Sequence, residues 1–539
     1  MSEAAGSPGT DVAGEERIVA LLLPELLGGA IDEKQLGKTL SGGPKPVRVL
    51  LCLPEQNGHE LAAALERLGA ESEILLGPAV AAPTTKAFAL RAPPGTLPLQ
   101  QTEFALALAD TVLFAPGCEQ NSWFRAAKAL GKPTIAIGEP MRDNRSVEAA
   151  HHRLDPETPF RRRAWGRRMC GRLEQFLLEL FAFNWRGWHE GGVRHSWGRL
   201  RKCVAAGWRP GSYFGPSSWP QLAPDRSALQ SSKIIACFDA LDRSALYGSY
   251  VHRDLVWLEH IGAGFAVFAA VAGYIELWGG LFHHLGWHTD WVWGGLELAT
   301  LIGIATMVGL VRRTQLQDRW TACRLGAEQL RIALMSMPLL VLPSALATSD
   351  EPPPADEHGA QDTQFGFFAL AQVKRAVRDH GLPRLDPTLT IAQAAEWLHL
   401  IIRDQIGYHH GNHGKLEHAE NRLRFLTKWI FILTMAAVVV HFRVHASALL
   451  LATAAGPAFA AALHGTGTRL GIVHRAALSV DVAKELAKID ADLTTVEKMP
   501  PGADAWTQVR YLAFAAAEAM GRENSSWHGL VRRYRDDLP

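Results

Sequence analysis

Two carboxylates stand inside otherwise apolar sequence. Glu276 interrupts the run Ile261–Phe282 (IGAGFAVFAAVAGYIELWGGLF) and Glu297 the run Trp291–Val311 (WVWGGLELATLIGIATMVGLV), and neither run holds a Lys, Arg or Asp. Glu276 lies six residues before Phe282 and Glu297 six after Trp291, which at about 1.5 Å per residue puts both roughly 9 Å inside the same edge of an apolar layer. An ionisable group in hydrocarbon is costly unless it meets water or a partner, so each is a candidate functional position. The expectation is that Glu276 and Glu297 line a polar path and, repeated around a homo-oligomer, form an acidic ring favouring cations. The alternative keeps them protonated and hydrogen-bonded between helices, or snorkelled to the surface.

Two histidine clusters come next: His284 and His288 beside Asp290, and His409 and His413 at i, i+4 spacing with Glu417 nearby. Either could bind a metal, but neither has zinc-protease or zinc-finger spacing, and isolated histidines near a membrane interface are the ordinary reading. No metal is expected. A third set is polar and turn-forming: Pro54, Glu55, Gln56, Asn57 and Gly58, then Gly117, Glu119 and Asn121, and finally Glu139. These are the candidate ligand-binding residues. The chain has no G-x-G-x-x-G, G-x-x-x-x-G-K-[ST], G-x-S-x-G, H-E-x-x-H or kinase set, so no phosphate-cradling loop is read and no catalytic residue is assigned. Were the chain an enzyme, its candidate acids would be Glu55, Glu119 and Glu139.

The elements that must position these residues are legible from apolar periodicity. Short apolar runs at Val47–Pro54, Ser72–Gly77, Thr111–Pro116 and Pro133–Gly138 alternate with helical patterns at His59–Leu68, Glu103–Ala109 and Ser122–Leu130. Such alternation predicts a parallel sheet covered on both faces, a small Rossmann-like α/β domain over 46–140. Ligands bind such domains at the carboxyl ends of the strands, where the third set of residues falls. Residues 1–45 read as a flexible lead with one apolar helix around Ile18–Leu27.

The two apolar runs are each about long enough to cross a bilayer's hydrocarbon core, and in lipid such segments are stable only as helices. They predict a first transmembrane hairpin within 251–348, with spans at about 261–282 and 291–311 followed by a helix from Arg312. A second pair, at about 425–442 and 444–464, lies within 389–479, where Thr390 opens a long helix. Between the hairpins, 349–388 reads as a linker, acidic and Pro-rich at Ser349–Gln364. The segment 141–250 is a juxtamembrane helical region whose Arg161–Trp188 stretch is basic and aromatic, and 480–539 carries two cytosolic helices, Val480–Leu493 and Trp506–Met520. The fold class expected is a multi-pass α-helical membrane protein with an N-terminal cytosolic α/β domain. Arg243, Arg253, Arg312, Arg313 and Arg319 flank the first hairpin while its turn has no Lys or Arg, which predicts an outside turn and cytoplasmic termini.

The formal charge of +1 on 539 residues argues against a nucleic-acid partner. The six cysteines are scattered without a C-x-x-C pair and read as reduced thiols. The N-terminus is polar and acidic, unlike a signal peptide.

Several pieces in order, FDALDRSALYGSY before the first hairpin, RWTACRLGAEQLR after it, QIGYHHGN, ENRLRFL before the second hairpin, and a tail with AAEAMGRENSSWHGLV, together resemble the SLATT class of bacterial membrane effectors. The resemblance covers roughly Phe238 to the C-terminus. It implies a pore-forming or membrane-disrupting effector of the bacterial inner membrane, working in nucleotide-dependent defence against phage and often coupled to a Rossmann-like sensor. The N-terminal domain resembles such sensors of the SLOG and TIR-like groups, implying a nucleotide or NAD-derived signal ligand. Ala109–Gly138 also resembles nucleoside deoxyribosyltransferases. It departs where that enzyme places its catalytic Glu: Trp123 and Phe124 occupy the helix and Glu119 lies about a turn early. Two other functions therefore stay open, a membrane-anchored NAD or nucleotide glycohydrolase and a constitutive ion channel or scaffold.

Overall fold

The computed structural model describes residues 19–22, 32–41, 48–53, 59–68, 71–76, 88–91, 96–109, 111–139, 233–278, 284, 288–347, 369–370, 373–374, 376–377, 390–444 and 446–536. Six strands alternate with helices at the N-terminus: β1 (Val19–Leu22), α1 (Glu33–Ser41), β2 (Arg48–Leu53), α2 (His59–Arg67), β3 (Glu71–Leu76), β4 (Phe88–Arg91), α3 (Pro98–Leu108), β5 (Thr111–Phe114), α4 (Ser122–Ala129) and β6 (Thr134–Ala136). All strand pairings are parallel, in the order β4-β3-β2-β1-β5-β6. The order turns back between β1 and β5, because β2 and β5 flank β1, with Leu22 registered against Leu51 on one side and Leu113 on the other.

All four expected strands and the three helices of this region are present. Two further strands were not foreseen. Val19–Leu22, expected within an apolar helix of a flexible lead, is the central strand β1, so the sheet unit begins well before residue 46. Four apolar residues satisfy either periodicity, and what decides is the pair of strand edges waiting on both sides. The edge strand β4 lies between Gly77 and Glu103, where the sequence reading assigned no element.

The remaining described elements are helices: α5 (Lys233–Tyr274), α6 (Thr289–Thr314), α7 (Leu316–Ser336), α8 (Ile391–His441), α9 (Ser447–Arg469), α10 (Ile472–Val496) and α11 (Ala503–Asp536), with a one-turn helix at Ser344–Ala347. Among the described residues, four helical stretches are long and apolar enough to cross a membrane, within Ala240–Tyr274, Thr289–Thr314, Ile391–His441 and Leu449–Val496. The chain is a mostly helical membrane protein. Helix α5 has 42 residues and α8 has 51, lengths of about 63 and 76 Å that far exceed a bilayer core of about 30 Å. Each therefore carries a long polar stretch before its apolar end. Thr390 caps α8 as expected: its Oγ1 accepts the Gln393 N–H at 3.2 Å while Gln393 Oε1 accepts the Thr390 N–H at 2.9 Å.

Three boundaries differ from expectation. The first span stops at Tyr274, eight residues before Phe282, and residues 275–278 form a turn. There the Leu277 N–H donates to Ala272 O at 2.9 Å across Glu276, whose φ of 50° is left-handed. That is a Schellman closure with Glu where Gly is usual, at a cost of about 1 kcal/mol. The helix expected to run on from Arg312 breaks at Gln315, also left-handed with φ 47°, so α6 and α7 are separate rods. In the expected linker 349–388, Ala369, Val373, Ala376 and Val377 are helical and buried, at spacings that put them on one helix face; the acidic Ser349–Gln364 stretch lies outside the described residues.

Candidate functional site

The candidate ligand rim follows from the sheet. Because all strands run parallel, the segments after β2, β5 and β6 leave the sheet along one edge. Pro54, Glu55, Gln56, Asn57 and Gly58, after β2, lie outside the described residues. Gly117, Glu119 and Asn121, after β5, form an exposed turn. Gly117 has φ 96°, a region closed to most side chains, and its N–H donates to Glu119 Oε1 at 3.2 Å. Asn121 caps α4 by accepting the Trp123 N–H at 2.8 Å. Glu139 follows β6 and is exposed, and the neighbouring Gly138 N–H donates to Thr39 Oγ1 at 2.7 Å. Glu119 and Asn121 thus shape their own loop, while the carboxylate of Glu139 faces solvent. On the outer helices of this unit, Glu33 and Arg67 pair and shift each other: Arg67 lowers the Glu33 carboxyl below its ordinary range, and Glu33 raises Arg67.

Behind the rim, α3 joins the sheet to the membrane helices. Its residues Gln100, Gln101, Thr102, Phe104, Ala105, Leu106 and Leu108 are buried on either side of an exposed stripe at Leu99 and Glu103, a wider buried face than a helix lying on one surface shows. Cys52 of β2 meets Thr102, with Sγ and Oγ1 3.8 Å apart. On its other side, Gln100 Nε2 donates to Thr507 Oγ1 of α11 at 2.9 Å. A single apolar cluster runs from Leu21, Leu50 and Val112 in the sheet, through Phe104 and Leu108, to Ile234, Phe238 and Leu241 of α5 and Ala327, Leu330 and Leu334 of α7. Burial in this junction pushes the Cys237 thiol up to about 12. It also lowers Arg510 to about 10, whose guanidinium donates to Leu339 O at 3.1 Å and Leu340 O at 2.6 Å.

Charged groups pin α5 to its neighbours at two levels. Asp242 pairs with Arg324 at 3.4 Å, and Glu328 pairs with both Arg324 and Arg331. Further along, Glu259 accepts from Arg469 Nη1 at 2.7 Å, tying α5 to the end of α9. A buried charge needs such a partner, and losing one leaves the other stranded. A second core under α8, α10 and α11 centres on the fully buried Trp506, and at its edge His399 Nδ1 lies 2.5 Å from Asp490 Oδ1.

The structure does not bring Glu276 and Glu297 to matching depth. Glu276 is exposed in the turn beyond α5, which packs beside Trp293 of α6, whereas Glu297 lies four residues further along α6, about 6 Å deeper. The depth estimate from sequence failed because it placed Glu276 inside a helix that ends two residues earlier. His284 and His288 are both exposed, and His288 is the residue before α6. His409 is buried, and His413 lies 3.4 Å from Glu417 and 3.2 Å from Ala476 O. Among the described residues no three His, Cys, Asp or Glu side chains gather as a metal site would require. Sequence reading noted Arg312 only as a flanking cation and gave no site role to Arg469, Glu259, Gln100 or the α3 junction, whose polar residues Gln100, Gln101 and Thr102 are buried against partners distant in sequence.

Comparison of the chain with protein-family models, with curated proteins and with solved structures returned no match.

Proposed function

We propose that this protein is a ligand-gated membrane effector of SLATT type, in which a Rossmann-like sensor domain of SLOG or TIR-like kind binds a nucleotide or NAD-derived signal and opens a path through, or disrupts, a bacterial inner membrane during defence against phage. The observation carrying this reading is the unbroken apolar core from β1, β2 and β5 through α3 into the inner end of α5, the helix that becomes the first candidate span. A ligand at the strand ends would press on α3, which meets the sheet through Cys52 and Thr102 and the helical body through Gln100 and Thr507. It can open the path only through a difference in affinity between closed and open states. On this reading the termini and the sheet are cytoplasmic and several copies surround the path.

The test is dye or ion flux from liposomes carrying the purified protein, with nucleotides, cyclic oligonucleotides and NAD added in turn, and with product analysis of each. Flux that rises with one compound, left chemically unchanged, supports the effector. Turnover of NAD or a nucleotide without flux identifies a membrane-anchored glycohydrolase instead. Flux that needs no ligand and survives disruption of the α3 contact by Gln100→Ala and Thr507→Ala identifies a constitutive channel. Within the effector reading, Glu297→Gln should shift cation selectivity and Glu276→Gln should shift it less, because Glu276 sits at the mouth; equal reversal potentials in all three proteins would remove both from the path.

A further inference from the structure

A shallow, open cleft lies between α5 and α6 at the end of the span region nearer the sheet. Its walls are His252, Leu255, Val256 and Glu259 on one face of α5, Met307, Val308, Val311 and Arg312 on one face of α6, and Arg469 from the end of α9. The residue pattern is two-sided. Five aliphatic or thioether side chains form the walls, and two guanidiniums, one carboxylate and one imidazole are set among them. Arg469 is engaged by Glu259 at 2.7 Å. Arg312 is exposed in the last turn of α6, and its guanidinium makes no hydrogen bond or ion pair among the described residues.

An unpaired guanidinium beside a second one, over aliphatic walls where a span reaches the bilayer edge, lacks an anion. Part of the role of Arg312 is served by the helix dipole, which favours cations in a last turn. Yet Arg313 serves that equally well, and Arg313 does not line the cleft. We propose that this cleft holds one anionic phospholipid per chain, its phosphate on Arg312 and Arg469 and an acyl chain along Val308, Val311 and Leu255. Basic pockets between spans on the cytoplasmic side are suited to such headgroups, because the phosphate gains charge-assisted hydrogen bonds while the chain stays in hydrocarbon. A free phosphate shares the charge chemistry but gains nothing from the aliphatic walls. The bound lipid would brace α6 against α5 and α9, so the state of the first hairpin would depend on membrane composition.

The proposal rests only on the membrane placement of the four helices and is independent of sensing by the sheet, since its test adds no soluble signal. The full-length protein is reconstituted in nanodiscs of phosphatidylcholine with increasing phosphatidylglycerol, and lipid retained per chain is measured by native mass spectrometry after transfer to detergent. Wild type and Arg313→Gln should each retain one phosphatidylglycerol, while Arg312→Gln should retain it about five- to tenfold more weakly. Thermal melting of all three in phosphatidylcholine alone checks that each folds. Equal retention by Arg312→Gln and wild type overturns the proposal, as does equal loss in Arg312→Gln and Arg313→Gln, which would mean bulk attraction to an anionic surface. A third arm adds inorganic phosphate to the discs that contain phosphatidylglycerol. If phosphate competes away the lipid at millimolar levels, the site is a soluble-anion site and the lipid assignment fails.

Discussion

Helices α6 and α9 are the returning arms of two hairpins, and they are held in opposite ways. Helix α9 is rich in Ala and Gly and lies close against both α5 and α8: a Cβ at Gly264 of α5 would stand 2.9 Å from the Phe459 ring, and one at Gly456 would overlap Thr434 Oγ1. Its Ala455, Ala462 and Thr466 are buried. Helix α6 packs along α5 but leaves Gly294, Gly295, Gly303 and Gly309 with nothing nearby, exposes Leu296, Leu298, Leu301 and Ile302, and buries only Trp293. In lipid, where apolar side chains gain little by leaving the solvent, close helix contact comes from small residues that let backbones meet. Both arms carry such residues, but only those of α9 face a neighbour. The difference teaches that small residues in a span promise an interface without saying which one. The second hairpin and α5 form a clasped frame, and α6 is the arm left to lipid or to another copy.

Four substitutions and one labelling experiment would break or sharpen this contrast. The largest effect is expected from Trp293→Ala, because the ring is the sole large anchor of α6 and its Nε1 donates to Leu277 O at 3.0 Å. Unfolding in detergent should show a loss of about 3 kcal/mol. Next, Gly264→Leu should cost about 2 kcal/mol by forcing Phe459 away. Gly295→Leu, the same change on the bare arm, should alter monomer stability by less than about 1 kcal/mol. If Gly295→Leu instead lowers the mass of the assembly in light scattering, α6 is the contact between copies. A smaller effect belongs to Arg469→Gln. The ion pair with Glu259 is about one-fifth exposed on each side, and a double-mutant cycle with Glu259→Gln should give a coupling of about 1 kcal/mol.

The last test concerns the inner end of α5. The native Cys237 thiol is held near 12 against an ordinary 9.0. The folded state therefore keeps a proton that the unfolded chain releases, so this group's share of stability is complete below pH 9 and is lost as pH rises from 9 towards 12. Alkylation of Cys237 in the folded protein should be negligible at pH 8 and become appreciable only in denaturant. Ready labelling of the native protein would show that the junction with the sheet opens, and that α5 is less firmly framed than α9.

Much of this was legible in the chain. The apolar runs located the hairpins, since hydrocarbon tolerates few other patterns, and Thr390 announced the start of α8 through local chemistry alone. Four of the six strands announced themselves as short apolar runs alternating with helical patterns. What failed was anything decided by partners distant in sequence. Val19–Leu22 is a strand because β2 and β5 offer it two edges. Glu276 is not inside a span because a left-handed turn closes α5 at Tyr274, and Gln315 breaks a run whose helical pattern is continuous. Helix α3 reads as a weak apolar segment, and only the packed structure shows it buried between a sheet and a helical body.

Composition and periodicity by themselves determined that this chain is a multi-span helical protein, because the burial of backbone amides in lipid admits few solutions. Tertiary structure alone decided which faces of those spans meet, that Glu259 would find Arg469 across 210 residues, and that Arg312 would be left facing a cleft. Those outcomes depend on the angle and register at which helices pack, and neither is encoded by any one segment.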